Sequence, residues 1–177
     1  RSLVQGIWKG SGYGNHGGTT YERGMVYERQ LIKENKTMSY KRLIPCIFIY
    51  KGKAIKWFDD KEVVSDDVIG LAKQYCDKGA DELIVFDLSN TDDEHDEAID
   101  LMKKVNRAIS IPMVAGGNVR RQEDVKKILY TGAKRAILNF SKPLSFELIE
   151  EVSKRFGKER IAVSLNDFDA LFKQQHL

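Results

Sequence analysis

The sequence has little cysteine, little histidine and no long apolar stretch, and each shortage removes a class of protein. Its two cysteines, Cys46 and Cys76, stand 30 residues apart without a CxxC pair. That spacing excludes a disulfide scaffold and a cysteine zinc site, and it suits a reducing, cytoplasmic setting. No run of ~18 apolar residues occurs, so no membrane span is expected. Nor does a charged start lead into an apolar segment and a small-residue cleavage site, so no signal peptide is expected. The three histidines, His16, His95 and His176, are too far apart for a paired metal site. Charge of one sign is missing too. Residues 1–37 hold six of the 29 basic and three of the 26 acidic residues, leaving 23 of each in the remainder. All of the net charge of +3 therefore lies in the first 37 residues, and no nucleic-acid footprint is expected over the rest.

What is present is ordinary globular composition: 177 residues, 42% hydrophobic and 31% charged. Residues 1–37 contain seven of the 14 glycines and sustain neither apolar alternation nor a helical stripe. Gly10-Ser-Gly-Tyr-Gly-Asn-His-Gly-Gly18 lacks the preceding strand and following helix that a dinucleotide loop requires. This stretch reads as a flexible or non-native leader. Met38, in Met-Ser-Tyr-Lys-Arg-Leu-Ile-Pro, reads as a natural start, and Lys33-Glu34 can be encoded by a ribosome-binding sequence just ahead of it. The hypothesis is that residues 1–37 are translated upstream DNA; a native amino terminus mapped ahead of Met38 would overturn it.

From Leu43 the pattern is regular. Leu43–Tyr50 is an apolar run suited to a buried strand, Lys51-Gly52-Lys53 a turn, and Ala54–Phe58 a second extended stretch. Ser65 is the expected cap of a helix whose stripe is Val68, Leu71, Ala72, Tyr75 and Cys76. Gly79 ends it, and Glu82–Leu88 is the next strand. Thr91-Asp-Asp-Glu94 has capping-box spacing ahead of a helix with Ala98, Leu101, Met102, Val105 and Ile109 inward. Ile111–Ala115, Arg135–Asn139 and Ile161–Asn166 are further strands. Between them the spacing predicts helices over 121–131 and, capped by Ser145, one bearing Leu148, Ile149, Val152 and Phe156, with Gly132 and Gly157 as stops.

Alternating strands and helices imply βαβ units and a parallel sheet. Gly79-Ala-Asp-Glu-Leu-Ile-Val-Phe and Gly132-Ala-Lys-Arg-Ala-Ile-Leu-Asn echo each other 53 residues apart, suggesting a barrel built by duplication. The expected fold class is α/β, of the (β/α)8 barrel type. A complete barrel takes ~250 residues; residues 38–177 supply four βα units and a fifth strand, its amino-terminal half.

Four motifs stand in order: Lys41-Arg-Leu-Ile-Pro-Cys46, Gly79-Ala-Asp-Glu-Leu83, Ile111-Pro-Met-Val-Ala-Gly-Gly117 and Arg120-x-x-Glu-Asp-Val125. Together they resemble the cyclase subunit of imidazole glycerol phosphate synthase, from histidine biosynthesis. A sibling is the phosphoribosylformimino-aminoimidazole carboxamide ribotide isomerase, and the Lys-Arg-Leu-Ile-Pro-Cys opening favours the cyclase. The resemblance covers residues 40–167. It implies a site at the carboxyl ends of the strands, a phosphorylated ribotide-type ligand held by backbone amides, no cofactor, and a glutaminase partner that provides ammonia for ring closure. The matching phosphate positions are Gly116, Gly117 and Asn139; Asn118 stands where the family has a third glycine, and Phe140 where it has a threonine. Asp87 matches an aspartate ending the second strand of the βα series. Lys56 matches a lysine of the first loop.

The family's proton carriers are two aspartates, because one carboxyl must give a proton while the other takes one. Their positions here are Phe48 and Asn166. Phenylalanine cannot transfer a proton, and an amide is not a useful base near neutral pH. No catalytic residue is therefore assigned. Bland uses are also open for the rest: Gly116-Gly117 as a tight turn, Asp87 as an anchor for the Ser89–Thr91 turn, and Lys56 as a solvated hairpin lysine. Asp92-Asp-Glu-His-Asp-Glu97 reads as a solvated helix start, its charges favoured by the helix dipole. Cys46 and Cys76 read as core residues, and Trp57 and Phe58 as packing on the barrel rim.

Two functional expectations follow from the resemblance. One is a cyclase-like barrel fragment with impaired chemistry. The other is a non-catalytic binding or docking barrel fused to another histidine-pathway enzyme, such as phosphoribosyl-AMP cyclohydrolase with phosphoribosyl-ATP pyrophosphatase. A half-barrel would also leave a strand edge open, so self-association is expected.

Overall fold

A computed structural model of the chain describes residues 41–140 and 145–165. The proposed leader, Met38 and Asn166 lie outside the described residues. Among the described residues, seven strands form one sheet in the order β3-β2-β1-β4-β5-β6-β7. They are β1 (Cys46–Tyr50), β2 (Lys53–Ile55), β3 (Val63–Ser65), β4 (Leu83–Asp87), β5 (Met113–Gly116), β6 (Arg135–Asn139) and β7 (Ile161–Ser164). β1, β4, β5, β6 and β7 run parallel, while β1, β2 and β3 form an antiparallel meander at one edge. The helices are α1 (Val68–Asp77), α2 (Asp92–Ala108), α3 (Gln122–Tyr130) and α4 (Ser145–Phe156).

Strand alternation divides the sheet residues between two faces. Ile47, Ile49, Leu83, Val85, Met113, Ala115, Ala136 and Leu138 share one core with the helices. Opposite them, the register runs Phe48, Phe86, Gly116, Ile137 and Ala162 in one row across five parallel strands. The helices meet the first face with Val68 and Ala72 from α1, Ala98, Met102 and Val105 from α2, Val125, Ile128 and Leu129 from α3, and Val152 from α4. Burial of these stripes, at about 25 cal/mol per Å² of apolar surface, is the main force holding helices to sheet.

Several expected boundaries move. The first strand begins at Cys46 rather than Leu43, although the carbonyls of Leu43 and Pro45 still accept from the Asp81 and Ile84 amides at 2.9 Å. A third short strand, β3, occupies Val63–Ser65 and pairs with β2. It takes Ser65 out of the capping position. Asp67 caps α1 instead, its Oδ1 accepting from the Gly70 amide at 2.8 Å, while Ser65 Oγ accepts from the Asp67 amide. α4 begins at Ser145, whose side chain lies outside the described residues.

Cys76 is not the core residue its helical spacing implied. It is half-buried near the end of α1, with Sγ 3.3 Å from Ser110 Oγ, because the stripe drifts off the sheet in the last turn. Hydrogen bonding to Ser110 pulls its thiol pKa below the ordinary value. Burial pushes the Cys46 thiol the other way, up to about 12. At pH 8 a thiolate-selective alkylating agent should therefore label Cys76 well before Cys46, read by mass spectrometry of digested protein. A raised folded-state pKa stabilises the fold below the unfolded value of 9.0 and loses that stabilisation as pH climbs towards it and beyond. The Cys46 contribution should accordingly decline between about pH 9 and pH 12, and Cys46→Ala should flatten that part of the stability profile.

Candidate functional site

β4, β5 and β6 end side by side, and the chain leaves each of them towards a helix. In parallel α/β architectures ligands are held at these carboxyl ends. Asp87 is the last residue of β4 and only 1% exposed. It lies on the helix-facing side with Val85, and its carboxylate is heavily engaged. Oδ1 accepts from the Ser89 amide at 2.8 Å. Oδ2 accepts from Ser89 Oγ at 2.9 Å and Asn118 Nδ2 at 3.2 Å, and lies 2.6 Å from His95 Nδ1.

This network gathers three segments of chain. Ser89 belongs to the β4–α2 turn, His95 to the first turn of α2, and Asn118 to the β5–α3 connection. Asn118 has φ +51, the left-handed region that favours glycine and that asparagine tolerates best among other residues. Its Nδ2 also donates to the Ser89 carbonyl at 2.6 Å and to Ser89 Oγ at 2.7 Å. The Asn118 side chain thus ties two loops together. Asp87 serves as anchor of the Ser89 turn, one of its two expected uses, and holds the neighbouring loop as well.

His95 corrects the sequence reading. It is 6% exposed rather than solvated, since the Asp87 carboxylate draws the ring inward. The acidic residues around it do form the first turn of α2, capped by Thr91 Oγ1 accepting from the Glu94 amide at 3.2 Å. Neither Ser89 nor His95 stood out as a functional candidate in sequence; His95 at four residues past Thr91 was the available signal, one helical turn in and facing the strand.

The two glycines are required by close packing. A Cβ on Gly116 would come within 2.7 Å of the Ile137 carbonyl, and one on Gly117 (φ +95) would run into the Asp87 backbone. Asn139 ends β6 in an exposed position, paired in register with Ser164 of β7. Lys56 lies apart from this cluster in hydrogen-bonding terms. Its ammonium is 2.9 Å from Glu62 and 3.2 Å from Asp60, on an exposed connection between β2 and β3. Hydrogen bonds to those two carboxylates raise its pKa.

Phe48 faces away from the helices and is buried in an aromatic group. It stacks on Phe86 with centroids 5.9 Å apart and meets Trp57 and Phe58 edge-on at 5.1 and 6.4 Å. Such pairs contribute about 0.5–1.5 kcal/mol each beyond their area. At the opposite ends of the strands, buried Glu82 takes a 2.8 Å ion pair from Arg42 and lies 3.6 Å from Arg135 Nη1. Arg42 belongs to the first motif, but its partner Glu82 is 40 residues away, and Glu82 is in turn 53 residues from Arg135, so this pairing had no local signature.

A mostly parallel sheet with helices packed on one face is consistent with a partial barrel of the α/β class. The chain belongs to the family described as histidine biosynthesis protein, whose profile matches residues 42–174. It is 35% identical over 132 residues to the imidazole glycerol phosphate synthase subunit HisF of Flavobacterium psychrophilum, covering 73% of this chain and 52% of that protein. The HisF subunits of Exiguobacterium sibiricum and Methanococcus maripaludis are 32% and 34% identical over 130 residues, covering 73% of this chain in both cases and 52% and 48% of those proteins. The chain spans about half the length of these curated relatives. No helix among the described residues is long and apolar enough to cross a membrane.

Removing the buried anchor should be costly. Asp87→Ala would strand several donors, with an expected loss of about 3–5 kcal/mol in urea unfolding. Asn118→Gly keeps the backbone conformation and deletes the inter-loop bonds, so a smaller loss of about 1–2 kcal/mol is expected. Equal stability of wild type and Asn118→Gly would refute the clamp.

Proposed function

We propose that this chain is the amino-terminal part of a cyclase-like histidine-pathway barrel that works by binding or docking, without acid–base ring closure of its own. The observation that carries this is Phe48. The residue aligned with the family's first proton carrier is an apolar side chain packed between Phe86 and Trp57. It has no group that titrates, and neither do the rings that pack on it, Phe86, Trp57 and Phe58. Asn166, aligned with the second carrier, has no titrating group either. Asn118 adds support, because its amide is spent on Ser89 and Asp87 where a glycine would leave room for a phosphate.

A phosphorylated ribotide remains the ligand class that the relatives make most natural, with Gly116, Gly117 and Asn139 as the backbone groups to meet it. Fusion to another histidine-pathway enzyme, such as phosphoribosyl-AMP cyclohydrolase with phosphoribosyl-ATP pyrophosphatase, suits a barrel retained for docking. The cyclase and isomerase activities, and a glutaminase partner, are less well served by the substituted positions. A sheet whose described strands end at β3 and β7 would self-associate if those edges are open.

The test is the ammonia-dependent cyclase reaction in the complete gene product, unmodified and as Phe48→Asp/Asn166→Asp. The unmodified protein is expected to show no turnover above background, whatever the double variant does. Turnover at a rate typical of enzymes, about 1 s⁻¹ or more, would refute the proposal. Phe48→Asp buries a carboxylate among aromatics and should lower stability by several kcal/mol, on the order of the cost of an unpaired buried charge. Restored activity in the double variant would locate the loss at these two positions.

A further inference from the structure

The chain from Lys56 to Val64 has little polar hold on the rest of the sheet. β3, at its far end, is three residues long, lies at the edge of the described sheet and leaves Val63 and Val64 exposed. The connection that leads to it closes on itself. The Lys56 amide donates to the Glu62 carbonyl at 2.9 Å and the Trp57 amide to the Asp60 carbonyl at 3.1 Å. The Lys56 ammonium adds ion pairs to Asp60 and Glu62, and all three side chains are exposed. Exposed ion pairs contribute little, because water and salt compete for them. Polar bonding therefore shapes the connection without fastening it down.

The fastening is aromatic. Trp57 and Phe58 meet the Phe48 ring of β1 edge-on and lie 4.9 Å from each other. Phe48 in turn lies nearly parallel to Phe86 of β4, with 11° between the ring planes. Such ring pairs stabilise beyond the apolar area they bury. Phe48 stands on the face of the sheet away from the helices, yet only 8% of it is exposed. Phe58, at 56%, is the most exposed of the four rings. The connection thus covers Phe48, and Phe48 is what the connection rests on.

We propose that Phe48 is a latch: the rings of Trp57 and Phe58 seat on it and hold residues 56–64 closed over this face of β1. The residue at position 48 sets whether the face is covered or open. A charged side chain there would have to be desolvated beneath two rings, a cost that opening of the connection relieves. Loss of the proton carrier and closure of the face above it are then one change. A ligand at the carboxyl ends is kept from this face of β1 while the latch holds. The latch shares only the packing of Phe48 with the proposed function, and turnover does not enter its test, so either can fail alone.

The test is hydrogen–deuterium exchange of the full chain, read by mass spectrometry of peptides spanning residues 56–64. Trp57 emission is followed in parallel in a Trp8→Phe background, where it is the sole tryptophan. With Phe48 in place, exchange should be at least about tenfold slower than in the urea-unfolded chain, and Trp57 emission should lie to its blue. Phe48→Leu keeps an apolar side chain and removes the ring. Exchange over 56–64 should then quicken about tenfold or more, with red-shifted emission and little change in α3. Exchange at the unfolded rate with Phe48 in place would overturn the proposal, as would unchanged exchange and emission in Phe48→Leu. Should Phe48→Leu loosen α3 as much as the connection, Phe58→Ala decides, since that ring is exposed. Faster exchange confined to residues 56–64 supports the latch, and unchanged exchange there, or equally faster exchange in α3, overturns it.

Discussion

A carboxylate with 1% exposure survives in a folded protein only if donors converge on it, and Asp87 draws its donors from three separate segments. The Ser89 amide and hydroxyl fix the turn leaving β4. His95 fixes the start of α2, and Asn118 fixes the loop leaving β5. Removing any one leaves the others facing a less satisfied charge, so the arrangement is cooperative in the sense that buried polar networks generally are. The carboxyl ends of β4 and β5, where a parallel sheet places its chemistry, are positioned by that one requirement.

The same requirement bears on the departures that the family resemblance implies. A glycine at position 118 would leave the connection after β5 bare and close to any phosphate; asparagine accepts the same left-handed backbone conformation and uses its amide internally. Phe48 departs in parallel fashion on the other face of the sheet, where the strand row of Phe48, Phe86, Gly116 and Ile137 is apolar throughout. Gly116 gives the Phe86 ring its room, since a Cβ there would come within 3.3 Å of Phe86 Cε1. Substituted positions have been absorbed into packing and hydrogen bonding, which is the physical content of the proposed shift from catalysis towards binding.

Charge placement separates the two ends of the strands. At the amino ends, Glu82 sits between Arg42 and Arg135, a buried acid matched by two flanking bases. At the carboxyl ends, Asp87 is met chiefly by neutral donors and one imidazole, and the nearby guanidinium groups of Arg120 and Arg121 turn to a cleft instead. The contrast has a simple origin. Guanidinium groups reach from strand starts with long stems, whereas a tight strand-to-helix turn brings backbone amides and short side chains to the acid first.

Much of the fold was legible in the residues because it rests on local periodicity. The stripes Ala98-Met102-Val105 and Val125-Ile128-Leu129 fix which helix face meets the sheet, and the apolar strands at regular spacing dictate parallel βαβ order. The barrel class and the family followed from motifs contiguous in sequence. Local signals failed where a neighbour in space outweighed one in sequence: Ser65 lost its capping role to a strand pairing with Ala54, and Cys76 drifted off the core. The site was legible only as positions. That Asp87 is available, that Lys56 faces a ligand, or that His95 is solvated are questions about partners 31, 6 and 8 residues away, and hydrogen-bond geometry has no periodicity to read. Sequence by itself determined the elements, their order and the chemistry that Phe48 cannot perform, because side-chain type and spacing suffice for those. Tertiary structure alone decided that Asn118 clamps two loops and that His95 is buried, because only folding brings β4, α2 and the β5–α3 connection around one desolvated carboxylate.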